Sequence, residues 1–240
     1  MLVEVCANSL ESALIAERAG ADRLELCVAL ELGGLTPSYG LLQAVKKQVS
    51  IPVRVLIRPR AGDFTYSHQE FEIMKQNIAR CAELHFDGVV AGVLQKDLTL
   101  DEGRLISLLS VAGPLAFTFH RAFDWVSDPL GTFDRLGALG VDTVLTSGQA
   151  RTAEEGMPLL KTLESRSGSC TVMPGCGIRS SNAVLFKQNG FEALHLSGTA
   201  IVDTLAEVPQ VPMRSDVTLS DGQLLRTDGD IIRKVVASVK

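Results

Sequence analysis

The alternation of short β-branched runs with longer segments of helical period is the feature that most constrains how this chain folds. Strands that alternate with helices predict repeated strand–helix units, which build a parallel sheet. The runs number eight, and the 240 residues are close to the roughly 250 of a typical (βα)8 barrel. We therefore predict an α/β fold with a single TIM-barrel domain over residues 1–240. The predicted strands are Leu2–Cys6, Arg23–Cys27, Val53–Pro59, Gly88–Leu94, Leu115–His120, Thr143–Gly148, Cys170–Pro174 and Ala193–Ser197.

Helix boundaries support the same alternation. A doubly wound open sheet is the competing architecture, but its first turn is usually rich in glycine, and the turn Cys6-Ala-Asn-Ser here has none. Residues 203–227 show no clear period and predict an irregular excursion before a closing helix over Gly229–Lys240. The predicted helix N-caps are Ser9, Ser38, Ser67 with Glu70, and Asp128 with Pro129, and the predicted stops are Gly20, Gly140 and Gly190.

Composition excludes several functional classes. A net charge of −5 and a pI near 5.4, without a concentrated basic face, predict no nucleic-acid partner. Acidic or basic residues interrupt every apolar run before it reaches the roughly 18 residues of a membrane span, and the N-terminus lacks the pattern of a secretion signal. We expect a cytoplasmic protein without a membrane partner. Five scattered cysteines without a CxxC pair predict free thiols: Cys6, Cys27, Cys81, Cys170 and Cys176.

Charged side chains occur at strand positions that should face the barrel lumen. Barrel interiors are normally filled by Val, Ile and Leu, so these positions need an explanation. Burying a charge costs desolvation energy, and no structural need for these charges is obvious. Their presence in the lumen therefore favours a functional site. The alternative is a structural ion-pair network in which Glu4 and Glu25 neutralise Arg54. The candidate acid–base residues are Glu4, Glu25, His120 and His195, and the candidate anion-binding residues of this group are Arg54 and Arg58.

Three loops after strands carry further candidates. Glycines after the seventh strand would let backbone N–H groups approach an anion, as in many barrels that bind phosphate. The segment from His120 to Asp124 places an imidazole, a guanidinium and a carboxylate in one turn, with a local Arg121–Asp124 ion pair as the alternative. Asp63 and Tyr66 are candidates for a lid. The candidate ligand-binding residues of these loops are Arg121, Asp124, Ser147, Gly175, Gly177, Arg179 and Ser197.

Together these segments resemble the CutC family. The resemblance rests on Glu4-Val-Cys6, Asp22-Arg-Leu-Glu-Leu-Cys27, Gly33-Gly-Leu-Thr-Pro-Ser38, Arg58-Pro-Arg60 with Gly62-Asp-Phe64, Thr118-Phe-His-Arg-Ala-Phe-Asp124 and Leu145-Thr-Ser-Gly148. It covers the chain to about residue 200. It implies a cytoplasmic (βα)8 barrel, a homodimer in at least some members, and a role in copper tolerance with Cys6 and Cys27 as the Cu(I) ligands. One departure is Pro174-Gly-Cys-Gly177, where the family pattern has Pro-Gly-Gly-Gly.

Two functional hypotheses follow. The first is a copper-homeostasis barrel that binds Cu(I) through Cys6 and Cys27, which lie at the lumenal ends of adjacent predicted strands; a buried apolar cysteine pair is the alternative. The second is an enzyme or binding protein for a small anionic metabolite, of which a phosphorylated one is an example. A lumen of Glu, Arg and His side chains suits a polar, anionic small molecule better than it suits a soft cation, which favours the second hypothesis.

Overall fold

The computed structural model describes residues 1–207, 210–211, 213 and 219–240. Eight parallel strands form one sheet in the order β7-β6-β5-β4-β3-β2-β1-β8. A parallel bridge between Gly175 and His195 joins the two outer strands and closes the barrel. The strands are β1 (Leu2–Ala7), β2 (Arg23–Leu26), β3 (Val53–Leu56), β4 (Gly88–Ala91), β5 (Ala116–Phe119), β6 (Thr143–Thr146), β7 (Thr171–Pro174) and β8 (Ala193–Leu196).

The predicted TIM barrel is confirmed, with all eight strands at the predicted places. Several strands end earlier than predicted. The third stops at Leu56 rather than Pro59, because the chain beyond it turns into a loop that hydrogen-bonds with residues after β2. Apolar residues that continue past a strand end look like strand in the sequence, although they pack under loops.

Helices follow the strands around the barrel. They are α1 (Leu10–Arg18), α2 (Tyr39–Gln48), α3 (His68–Glu83), α4 (Glu102–Ala112), α5 (Pro129–Ala138), α6 (Met157–Glu164), α7 (Ala183–Gln188) and α8 (Gly229–Val239), with short 3-10 helices at Leu30–Leu32 and Arg121–Trp125. The four predicted N-caps each accept a backbone N–H, and the three predicted glycine stops have φ between 88° and 93°. No helix in the described ranges is both long and apolar enough to cross a membrane.

The predicted irregular excursion is partly wrong. Its C-terminal end forms β10 (Gln223–Thr227), which pairs antiparallel with β9 (Thr199–Asp203), from Gln223 with Asp203 to Thr227 with Thr199. The hairpin is held by its ladder of backbone hydrogen bonds, while most side chains of β9 stay exposed. Strands without a buried face show no clear hydrophobic alternation, so the sequence pattern missed them. The rest of the excursion includes residues 208, 209, 212 and 214–218, which lie outside the described part.

The main apolar core lies between the barrel and its helices. Two small apolar clusters occupy the lumen, one of Cys27, Leu56 and Val90 and the other of Leu145, Met173 and Ala193. Leu56 and Leu145 of these clusters lie beside polar side chains at the C-terminal end of the lumen. All five cysteines are free thiols.

Candidate functional site

A cavity of about 870 Å³ opens where the barrel strands reach their C-terminal ends. A smaller cavity of about 350 Å³ between α1 and β10 contains none of the predicted site residues among its described lining. The large cavity is therefore the candidate site. Of the predicted residues, it is lined by Cys6, Glu25, Arg58, His120, Arg121, Gly177, Arg179, His195 and Ser197; Glu4, Cys27, Arg54, Asp124, Ser147 and Gly175 lie outside its lining.

Glu4 lies deeper in the lumen in a charged network. It is fully buried; one oxygen lies 2.8 Å from Nδ1 of His195, and the other accepts a hydrogen bond from Nε of Arg23. Burial raises the pKa of Glu4, but the His195 hydrogen bond and the Arg23 charge outweigh it and lower the pKa to about 2. Burial lowers the pKa of His195, yet the charge of Glu25 and the bond with Glu4 raise it overall. These opposite shifts favour the charged forms of both Glu4 and His195.

Arg54 forms no direct salt bridge with Glu4 or Glu25, the pairing given as the network alternative, although the charge of Glu4 acts on it. Its guanidinium donates to the hydroxyls of Thr118 and Thr143. The cation that pairs with Glu4 is instead Arg23, which the sequence reasoning did not select. Arg23 begins β2 and lies opposite Glu4 in the pairing of β1 with β2. An alignment of these two predicted strands could have indicated that the two side chains are close.

Cys6 contacts His195 and also lines the cavity. Its Sγ lies 3.0 Å from Nε2 of His195 and 3.5 Å from Oε1 of Glu25. The ligand atoms of Cys6, Glu25 and Cys27 all lie within 4.8 Å of one another. A hydrogen bond with Cys27, burial and the charge of Glu25 raise the pKa of Cys6. The structure thus brings the two predicted metal-ligating cysteines together, with a carboxyl group beside them.

Arg58 and His120 form the opposite part of the lining. The guanidinium of Arg58 donates to the carbonyls of Leu32, Gly34 and Gly62 at 2.8–3.0 Å. Nδ1 of His120 accepts the N–H of Ala122 at 3.1 Å. Burial and the charge of Arg58 lower the pKa of His120 to about 3, so its ring is neutral near pH 7.

Asp124 ties the loop after β5 to the loop after β6. It accepts the backbone N–H groups of Ser147 and Gln149 and pairs with Arg121 at 2.8 Å. The hydroxyl of Ser147 donates to the carbonyl of Ala150. These contacts are those of a loop-shaping ion pair, and the roles of Asp124 and Ser147 in ligand binding stay predictions.

The loop after β7 uses some of the N–H groups that were predicted to bind an anion. The N–H of Gly175 donates to the carbonyl of Thr146 at 3.0 Å, and that of Arg179 to Oδ1 of Asn182 at 2.8 Å. In the predicted lid, Asp63 accepts the N–H of Thr65 and is exposed. Tyr66 is buried and does not line the cavity.

Comparison with known proteins decides the family. The CutC family model matches residues 1–200. The chain belongs to the CutC family. A CutC family protein of Enterobacter sp. (strain 638) is 47% identical over 82% of this chain and 79% of its own length. The human copper homeostasis protein cutC homolog is 45% identical over 100% of this chain and 89% of its own. A solved structure described as a copper homeostasis protein CutC, from Streptococcus agalactiae, is 32% identical with a TM-score of 0.78 and covers 82% of this chain and 98% of its own.

This CutC family member also has lining residues that the sequence reasoning missed. Phe64, Trp125 and Lys234 line the cavity. Trp125 is the single tryptophan of the chain and is 46% exposed, an uncommon state for a large aromatic side chain. Lys234 lies on α8 with Ile231, far along the chain from the rest of the lining, so no local signal placed it there.

The departure from the CutC pattern lies at the cavity. Cys176 has a φ of +81°, in the left-handed region that favours glycine. Its Sγ donates to the carbonyl of Arg151 at 3.1 Å. The cysteine therefore keeps a backbone conformation that suits the glycine of the family pattern.

Proposed function

We propose that this CutC family barrel serves copper homeostasis by binding Cu(I) between Cys6 and Cys27. The observation that carries the proposal is the convergence of both thiols within 4.8 Å, beside the carboxyl group of Glu25. Cu(I) is a soft cation that prefers thiolate ligands. Copper is here the cargo of the protein.

The groups around Cys6 and Cys27 are suited to binding Cu(I). Cys6 lines the cavity, which supplies an entry path, whereas Cys27 is fully buried behind it. Two thiolates and one Cu(I) carry a net charge of −1, which a low-dielectric interior tolerates only with positive charge nearby. The His195 ring lies 3.0 Å from the Cys6 sulfur, so a protonated His195 supplies that positive charge.

A reducing compartment would keep the two thiols available. Disulfides are rare in the cytosol because its thiol buffers keep cysteines reduced. The Cys6 and Cys27 sulfurs are close enough to make oxidation a competing reaction in an oxidising compartment. We therefore include a cytoplasmic location in the proposal.

Competition with a colorimetric Cu(I) chelator, under anaerobic reducing conditions, tests the proposal. We expect one Cu(I) per chain, and binding weakened by more than about a hundredfold in Cys6→Ala and in Cys27→Ala, since loss of an outer-shell partner alone costs about 10–100-fold. Cys81→Ala is the matched control, because Cys81 is also a fully buried thiol but belongs to α3. Equal affinity in all four proteins, or no stoichiometric binding by the wild type, would refute a direct copper role.

A further inference from the structure

Arg58 is a buried cation that forms no salt bridge with an acidic residue in the described part of the chain. It is only 7% exposed and lines the large cavity. Its terminal nitrogens donate to three backbone carbonyls, those of Leu32, Gly34 and Gly62. Carbonyl groups satisfy hydrogen bonds but do not neutralise a charge, and buried charges are normally paired. The arrangement leaves a positive charge at the cavity that an anion would neutralise.

The rim of the cavity adds positive charge. Arg179 and Lys234 line it, are exposed, and take part in no salt bridge within the described part of the chain. Arg121 also lines it, but its charge is balanced by Asp124. Glu25 is the one acidic residue among the described lining residues, against four basic ones. The cavity is therefore cationic in a protein whose net charge is −5.

His120 supplies a neutral donor beside Arg58. Its Nδ1 accepts the Ala122 N–H, so the neutral ring carries its proton on Nε2. That nitrogen is buried and has no partner among the described residues. Phe64 lies against both groups, with its ring centroid 4.9 Å from that of His120 and 5.3 Å from Cζ of Arg58. Arg58 and His120 thus place a cation and an N–H donor without a partner among the described residues beside one aromatic ring.

The size of the cavity indicates the kind of ligand. Small-molecule sites measure roughly 300–1,000 Å³, whereas one water in the liquid takes about 30 Å³. A cavity of about 870 Å³ has room for an organic molecule rather than for one ion alone. Trp125 packs edge-on against Phe64, with centroids 4.9 Å apart, and extends the apolar wall. We propose that the cavity binds a small organic anion, a carboxylate or phosphate monoester, at Arg58 and His120, with Arg179 and Lys234 attracting it at the rim.

This site is additional to the copper site. It uses neither the thiol of Cys6 nor that of Cys27 as a ligand, so either proposal can fail while the other holds. An anion here would lie near Cys6 and Glu25, which line the same cavity. Cys27→Ala should therefore leave anion affinity unchanged while it abolishes Cu(I) binding.

The fluorescence of Trp125 offers a direct test, because the only tryptophan of the chain lines the cavity. Citrate and glycerol 3-phosphate would be titrated into the copper-free protein, with glycerol as the uncharged control and thermal unfolding recorded in parallel. We expect a saturable change in emission and a raised melting temperature with at least one anion, and neither change with glycerol. Added NaCl should weaken the binding, since salt screens exposed charges.

Charge variants test the assignment of residues. Removal of both rim cations in Arg179→Ala/Lys234→Ala should weaken binding by about tenfold. Lys161→Ala/Lys187→Ala is the matched control, because both lysines are exposed on α6 and α7 and lie outside the lining. Arg58→Gln should abolish binding, and its thermal unfolding shows whether it folds. No saturable response to either anion, or equal loss in the two double variants, would overturn the proposal.

Discussion

Arg54 and Arg58 show at the residue scale how two alternate positions of one predicted strand acquire different surroundings. Both are buried, and parity assigned both to the lumen. Arg54 stays in β3 and donates to hydroxyls of β5 and β6. Arg58 lies past the end of the strand, where loop carbonyls accept its hydrogen bonds. Alternation predicts that a side chain faces inward, but not which groups meet it there.

His120 carries a pH-dependence prediction at the same scale. Its pKa is about 3 in the folded protein, below the value of 6.5 expected in the unfolded chain. Between these values the unfolded state binds a proton that the folded state does not, so stability falls as pH falls below about 6.5. The free energy of unfolding should decrease by roughly 1.4 kcal/mol per pH unit in that window through this group alone.

Urea unfolding at pH 7, 6 and 5 checks the sign. The comparison is His120→Asn, whose side chain does not titrate and can still accept the Ala122 N–H. From pH 7 to pH 5 the wild type should lose about 2 kcal/mol more than the variant. If the free energy of unfolding falls equally with pH in the two proteins, then His120 is not kept neutral in the folded protein.

At the element scale, helix N-termini were predicted accurately because capping is local. Ser67 accepts the N–H of Glu70, and the Glu70 side chain accepts the N–H of Ser67, which completes a capping box at the start of α3. The β9–β10 hairpin was missed because its two strands are separated by about twenty residues and pair through backbone groups, which residue types encode weakly.

Ser67→Ala should lower the free energy of unfolding by about 1 kcal/mol, since it leaves a helix N–H without its side-chain acceptor. Chemical denaturation at constant pH measures the effect. Ser110→Ala is the matched control: Ser110 is exposed inside α4, where alanine is the better helix former, so we expect little change or a slight gain. A smaller loss in Ser67→Ala than in the control would contradict the capping role.

At the scale of the whole molecule, the chain beyond residue 200 completes the fold and one wall of the site. The CutC family match ends at residue 200, yet Ile232, Val235 and Val239 of α8 are fully buried in the main core. The same helix places Lys234 at the cavity. The closing helix therefore belongs to the cooperative unit of the barrel.

Val235→Ala tests this directly. We expect a loss of about 2 kcal/mol, from the transfer free energy of two buried carbon groups and the cavity that they leave. Val184→Ala on neighbouring α7 is the matched control, because Val184 is 38% exposed and should cost much less. If thermal or urea unfolding shows equal costs, or an independent transition for α8, then this helix does not share the barrel's core.

The eight strands, the helix caps and the inward position of Glu4, Glu25, Arg54 and His195 could all be predicted from the sequence, because periods of 2 and 3.6 residues and capping depend on near neighbours in the chain. The CutC resemblance also came from short runs of residues, and the family match confirmed it. Tertiary structure decided which charges pair, and it places Arg23 in a salt bridge with Glu4. It also surrounds Arg58 with backbone carbonyls and keeps His120 neutral, since both depend on excluding water and on distances between residues far apart in the chain.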